Sequence, residues 1–461
     1  MKNKILIFAG ILLLINFSAC KQKVENAEPS GWDKVETILN QITEPVIQDN
    51  NFNLLDFGGI GDGRFDNIQA FHEIIEHCTE NGGGKIIVPE GNYFMKGPLH
   101  LESNINLHLE EGARLFFSSD PKDYLPNVLT SWEGTRIYNY SPFIYAINKK
   151  NIIISGKGEI DGEAAETWSA WKKIQNPDKL LSRKMNNTNV PLEDRIFGEG
   201  HFLRPHMVQF YECENILIED IIITDSPFWC IHVIFSKNII VRKVRYDAQN
   251  PNNDGIDAES CENVLIENIE FSNMDDNIAI KSGRDLEART LKRESKNIII
   301  RNCNFKGLNS FAVGSEMSGG VNNIFIEDCG FAGDVVYGIY LKGNKDRGGI
   351  VENIYVRNIE FQNARSAILI DSNYKNEGEG HPPQFRNVFI ENIVCENAEE
   401  YGISLIGSEE KPLQNINIKN VTVNNATSAF KTENVGSLKV ENIQINGMDY
   451  TNNILEDEQL Q

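Results

Sequence analysis

The chain has 461 residues, 24% charged and 41% hydrophobic, which is enough for a large core. The formal net charge of −22 argues against general nucleic-acid binding. An anionic polymer would have to be gripped by local Lys and Arg.

The N-terminus reads as an export signal. Lys2 and Lys4 precede a mostly apolar run from Ile5 to Phe17, followed by Ser18-Ala19-Cys20. A transmembrane span needs about 18 or more apolar residues, and this run is shorter. Phe17-Ser18-Ala19-Cys20 resembles a bacterial lipoprotein box, with Phe17 where Leu is usual. Residues 1–19 are thereby expected to be a signal peptide and Cys20 the lipidated mature N-terminus. The protein would then sit in the periplasm or at the cell surface and touch membrane only through the lipid. Residues 20–48 are polar and weakly periodic, which suits a tether. Without Cys20, seven cysteines remain, with no paired CxxC spacing. That composition points to buried free thiols rather than a disulfide framework or a zinc site.

Residues 49–450 are expected to form one domain. Asp66 to Glu80 carries apolar residues at 68, 71, 74, 75 and 78, the spacing of a helix that could cap a solenoid. From about Asn104 one phrase recurs: Asn, then apolar residues at offsets +1, +3, +6 and +8, often with Asp or Asn at +5. Clear copies begin at Asn215, Asn263, Asn297, Asn323, Asn353, Asn387 and Asn415. Two short strands joined by a one-residue phase slip produce this pattern. The +5 residue marks the bend. The architecture predicted is all-β, a single-domain right-handed parallel β-helix with one coil per copy. Cys303 and Cys329 both occupy +6, so they are expected in the core. Residues 163–205, with Trp168, Trp171 and several basic residues, break the repeat and read as a long insertion beside the helix. Residues 451–461 form a C-terminal tail.

A third strand falls between one phrase and the next. Aligning these strands puts Trp229, Asp254, Asp276, Asn309, Tyr337, Ser366 and Tyr401 in one column. Neighbouring rungs of a sheet lie about 4.8 Å apart, so Asp254 and Asp276 should stack, with Asn309 next. Asp275 would approach the same point from another angle. Three close carboxylates repel and raise at least one pKa, which suits acid–base chemistry. The alternative is that they serve as turn residues or calcium ligands. Lys281 and Lys342 share a register two coils apart, with Gly314 between them and Arg284 nearby. Cations facing a gap beside acids suit a carboxylate-bearing sugar. His232 falls near the same face, as a substrate contact or a packed side chain.

At these residues the chain resembles glycoside hydrolase family 28, the polygalacturonases, over roughly residues 50 to 445. Asn252-Asn253-Asp254-Gly255-Ile256-Asp257 looks like that family's Asn-Thr-Asp-Gly-Ile-Asp motif, and Asp275-Asp276 like its paired aspartates. Lys281-Ser282-Gly283-Arg284-Asp285 and Gly314-Ser315-Glu316-Met317-Ser318-Gly319-Gly320 look like its bacterial exo-acting branch. Phe57-Gly58-Gly59-Ile60-Gly61-Asp62-Gly63 resembles the opening motif of pectin-degrading β-helix proteins. The resemblance implies Asp275 as general acid, Asp254 and Asp276 as holders of the attacking water, and Lys342 as a substrate-binding lysine. Lys281, Arg284, Asn309, Tyr340 and His232 are expected to contact or position the substrate. Two departures stand out. The family's Gly-His-Gly motif falls on Gly307-Leu308-Asn309, without a His, and its Arg two residues before Lys342 is Tyr340. The expected activity is exported, inverting, exo-polygalacturonase-like hydrolysis of pectic poly- or oligosaccharide by a monomer, with no cofactor or metal. Alternatives are a rhamnogalacturonan-type hydrolase, a pectin lyase, and a non-catalytic glycan-binding β-helix.

Overall fold

The computed structural model describes residues 31–165, 167–331 and 334–450. The expected signal peptide, Cys20, the start of the expected tether and the expected C-terminal tail lie outside the described residues. The chain winds as a parallel β-helix whose strands pair with their counterparts one coil away. One stack, the ladder sheet, contains Ile144–Ile147, Val208–Tyr211, Ile231–Ile234, Ile256–Glu259, Asp276–Lys281, Asn309–Val313 and Val335–Lys342. A second stack runs through Glu214–Glu219, Lys237–Arg242, Glu262–Glu267 and Ser295–Arg301. A third runs through Ile222–Thr224, Arg245–Asp247 and Glu270–Ser272.

The recurring phrase has a direct cause in this winding. Residues at +1, +3, +6 and +8 point into the coil; Ile216, Ile218, Ile221 and Ile223 are fully buried. The leading Asn and the +5 residue both sit at positive φ, as in Asn263 at 58° and Asn268 at 56°. Asn tolerates that left-handed region better than most residues. Lys243 occupies +5 in its copy and adopts the same geometry at 52°. The leading asparagines also bond one to the next through their side-chain amides. Asn297 donates to Asn263 at 3.0 Å, and Asn323 to Asn297 at 3.2 Å. A second column at +5 links Asn358 to Asp328, Asn392 to Asn358 and Asn420 to Asn392 at 2.8–2.9 Å.

The helix Ile68–Glu80 lies across the N-terminal end of the solenoid with Ala70, Phe71, Ile74, Ile75 and Cys78 buried. The tether reading of residues 20–48 needs correction from residue 31 onward. A short helix, Lys34–Leu39, buries Ile38, and Ile42 follows it into the same cluster. Trp32 packs on Phe325 and Tyr355, with Arg357 3.8 Å over its ring. These residues cover Ile153, Leu217, Ile240, Leu265 and Ile299, the outward +2 positions of successive coils. The apolar +2 row needs cover from water, so the segment straps the flank instead of hanging free. The insertion at 163–205 folds back on the ladder sheet as a 3-10 turn, Trp168–Lys173, and a helix, Asn176–Asn187. Trp168 is fully buried against Tyr124, Tyr140 and Phe143. No helix among the described residues is long and apolar enough to cross a membrane.

Cys303 and Cys329 stand on adjacent coils, since Asn304 pairs with Gly330, and both are buried and unoxidised. A thiol reagent is expected to leave both unmodified until denaturant opens the coils. Rapid labelling of the native protein would show the coil register to be wrong.

Candidate active site

Strand register brings the three acids together. Ile256 pairs with Ile278, so Asp254 lies one rung from Asp276, and Asp276 pairs with Asn309. One carboxylate oxygen from each of Asp254, Asp275 and Asp276 lies within 4.8 Å of the others. Asp254 and Asp276 are 3% and 1% exposed, whereas Asp275 is only partly buried and faces the opening. Asn309 donates to Asp276 at 2.7 Å, and Asn252 to Asp275 at 3.3 Å. Asn252 is in turn held by the buried Arg204, which donates to its side chain at 2.9 Å and to the carbonyl of Pro251 at 2.6 Å.

Two buried lysines neutralise part of this charge. The ammonium of Lys281 lies 3.4 Å from each of Asp254, Asp257 and Glu316, and 4.2 Å over the ring of Trp229. The ammonium of Lys342 lies 2.8 Å from Asp276, above the rings of Tyr340 and Tyr374. The three aspartates offer the oxygens that a cation would need, but two ammonium groups already stand against them. The acids floor a cavity of about 140 Å³. Its wall takes Lys172, Lys179 and Arg183 from the insertion, and Arg347, Lys375 and Glu377 from loops after the ladder strands. Glu133 enters from the turn of a hairpin, Val128–Trp132 and Thr135–Asn139, that packs beside the ladder.

The expected site residues separate into groups. Asp254, Asp275, Asp276, Lys281 and Lys342 line the cavity. Asn309 reaches it through Asp276. Tyr340 does not face the opening: it is 3% exposed and lies beneath Lys342. Arg284 is a correction. It turns away to pair with Asp285 at 2.9 Å behind the wall, and Arg347 takes the lining position. His232 is also a correction as a substrate contact. It is fully buried, with ring nitrogens 2.9 Å from Gln209 and 2.9 Å from Glu259. The residues missed are mostly loop residues. Basic composition in the insertion hinted at Lys172, Lys179, Arg183 and Arg204, but Glu133, Tyr374 and Lys375 carried no periodic signal.

Burial dominates the protonation of the site. It pushes Asp254 well above the usual carboxylate range, with the charges of Asp275 and Asp257 adding to it and Lys281 pulling back. Asp275 is raised first by burial and then by Asp276, with Lys342 and Lys281 opposing. Glu316 also loses solvation, but Lys281, Arg347 and Arg284 hold it below the ordinary range. Burial and mutual repulsion among Asp254, Asp257 and Asp275 therefore leave a proton on at least one of them. Burial lowers His232 to about 3, so its ring is neutral.

A parallel β-helix with stacked acids on one sheet, walled by cations, has the form of a carbohydrate-acting enzyme on acidic glycans. The sequence pattern of glycosyl hydrolases family 28 matches residues 198–446, and the chain belongs to that family. The pattern described as rhamnogalacturonase A/epimerase, pectate lyase-like, matches residues 51–108. A hyperthermoactive exopolygalacturonase from Thermotoga maritima superposes with a TM-score of 0.88 and 38% identity, covering 92% of this chain and 98% of that one. A probable polygalacturonase of Vitis vinifera is 29% identical over 82% of this chain and 75% of its own length. An exo-poly-alpha-D-galacturonosidase of Dickeya chrysanthemi is 24% identical over 78% of this chain and 65% of its own length.

Lys281 lowers the affinity of both Asp254 and Asp275 for protons. Removing its charge raises both pKa values. Both carboxyl groups then keep their protons to higher pH. Lys281→Met is thus expected to move the whole pH–rate profile of hydrolysis toward alkaline pH, by about one unit or more. The profile is measured on protein retaining the wild-type circular dichroism. A shift to lower pH, or none, would show that Lys281 does not set these charges.

Proposed function

We propose that this protein is an exported, exo-acting glycoside hydrolase of pectin, exo-polygalacturonase-like, that removes terminal galacturonate with inversion. The observation that carries the reading is three carboxylates gathered at the floor of a small cavity walled by cations from the insertion. A cavity closed on that side suits a chain end, and lysine and arginine suit its carboxylate. The family membership and the likeness to the Thermotoga exopolygalacturonase support the same activity.

In this reading Asp254 and Asp276 hold one water between adjacent rungs. The water oxygen attacks the anomeric carbon and its proton passes to one of these carboxylates. The glycosidic bond breaks, and the leaving oxygen takes the proton of Asp275. Asn309 and Lys342 fix Asp276, and Asn252 under Arg204 fixes Asp275. Inverting enzymes usually place acid and base about 6.5–9.5 Å apart, which leaves room for the water across the sugar. Here the oxygens come within 4.8 Å. The two rung neighbours flank the water from the side, so the stereochemistry of the product decides between inversion and direct attack by a carboxylate.

Asp275→Asn is expected to lower kcat on oligogalacturonates by about 10²–10⁴-fold while leaving folding and substrate affinity near wild type. Anomeric proton NMR on the wild type is expected to show the inverted product first, as terminal sugars without ultraviolet absorbance. Initial retention removes the water-holding role from Asp254 and Asp276. An unsaturated, ultraviolet-absorbing product replaces hydrolysis with elimination, and early mid-length oligomers replace exo with internal cleavage.

Export and anchoring through Cys20 are part of the same proposal. Cys20→Ser is expected to move the protein from the membrane fraction to the soluble fraction, read by fractionation and by loss of lipid mass. Unchanged partition would remove the anchor.

A further inference from the structure

The outward faces of the coils carry an ordered charge pattern that neither the core nor the cavity requires. At offset +4 of the recurring phrase, Glu219, Arg242, Glu267, Arg301, Glu327 and Arg357 follow one another rung by rung. The alternation continues through Glu391 and Lys419 to Glu441. Within this run every rung neighbour has the opposite sign. Arg242 lies 2.7 Å from Glu219, Arg301 2.8 Å from Glu267, and Lys419 2.9 Å from Glu441. A second column, one residue before the leading Asn, repeats the pattern over Lys150, Glu214, Lys237, Glu262 and Lys296. The two columns run in phase. The coil of Glu214 and Glu219 is acidic at both positions, and the next, with Lys237 and Arg242, is basic at both. Then come Glu262 with Glu267, on the coil of Asp254, and Lys296 with Arg301, on the coil of Asp276.

This pattern supplies what the repeat itself lacks. Ile216, Ile239, Val264, Ile298 and Ile324 all fill the +1 core position and are fully buried. An asparagine heads each of these copies. Core and asparagine column would therefore accept the coil after next almost as readily as the next one. Chain entropy gives little protection, because the cost of closing a loop grows only slowly with its length. Looping out the coil of Asp276 and Arg301 would put Asn309 in the place of Asp276 beside Asp254. It would also lay Glu267 against Glu327, and like charges directly opposite one another are destabilising.

We propose that the alternating charges are a coil-register device. They fit each coil to its immediate neighbours, reject the coil after next, and so keep Asp254 and Asp276 on adjacent rungs. Two cationic rungs also hold the N-terminal strap: Glu44 meets Arg242 at 2.7 Å, and Arg357 lies 3.8 Å over the ring of Trp32.

Refolding of the full chain tests this. The chain is unfolded in urea, which leaves charges unscreened, and diluted into low salt or into about 1 M NaCl, where the screening length falls to about 3 Å. The readout is the fraction of chains whose seven buried thiols regain protection from a thiol reagent, relative to the wild type. In low salt, Arg301→Glu is expected to lower that fraction about threefold or more. The exchange of Glu267→Arg with Arg301→Glu keeps their mutual pair but sets an arginine beside Arg242 and a glutamate beside Glu327. It is expected to lose a similar share, and high salt is expected to restore both variants. Wild-type refolding of either variant in low salt would reduce the ladder to isolated pairs and overturn the proposal, as would a partial loss that high salt leaves unchanged. If neither variant refolds in any buffer, Glu441→Lys at the exposed end of the column decides. A salt-reversible loss there upholds the device, and wild-type refolding or a salt-independent loss overturns it.

Discussion

Parallel stacking at one rung per coil is the constraint on which the site depends. A residue on a ladder strand can lie no farther than one strand spacing, about 4.8 Å, from its counterpart on the next coil. Asp254 and Asp276 are counterparts, so their carboxylates are forced together whatever their mutual repulsion. Turn residue Asp275 joins them because it precedes Asp276 directly. The scaffold supplies the rigidity: a continuous core of isoleucine and valine inside, and asparagine columns along the bends.

Forced proximity of buried acids requires compensation, and the chain meets it from two directions. Lys281 and Lys342 come from the ladder sheet itself, one on either side of the acid pair. Arg347 and the cations of the insertion come from loops. A buried ammonium without partners would be costly. Lys281 instead has three carboxylates at 3.4 Å and an indole face. The lysines and acids therefore hold each other in place, and neither set would be stable alone.

The strap at residues 31–48 follows from a different imbalance. A coil position that points outward is normally polar, yet the +2 row is Ile153, Leu217, Ile240, Leu265, Ile299 and Phe325. An apolar outward row is a demand for cover, and the chain's own N-terminal segment meets it with Ile38, Ile42 and Trp32. The demand was visible in the repeat, but the segment that answers it was not. Its few apolar residues are too sparse to separate from a polar linker by periodicity.

The sequence alone determined the solenoid, its coil register and the meeting of Asp254, Asp275 and Asp276. These depend on a period repeated in copy after copy, and stacking converts period directly into position. It also put Lys281 and Lys342 in one register two coils apart, whereas the 2.8 Å contact of Lys342 with Asp276 came from the folded side chains. Only the tertiary structure decided which cations face the cavity. Arg284 turned inward to Asp285, His232 sank beneath Trp229 beside Glu259, and Lys172, Lys179, Arg183 and Glu133 arrived from segments without repeat. Loops have no period to read, and the direction of their side chains is set by packing against elements distant in sequence.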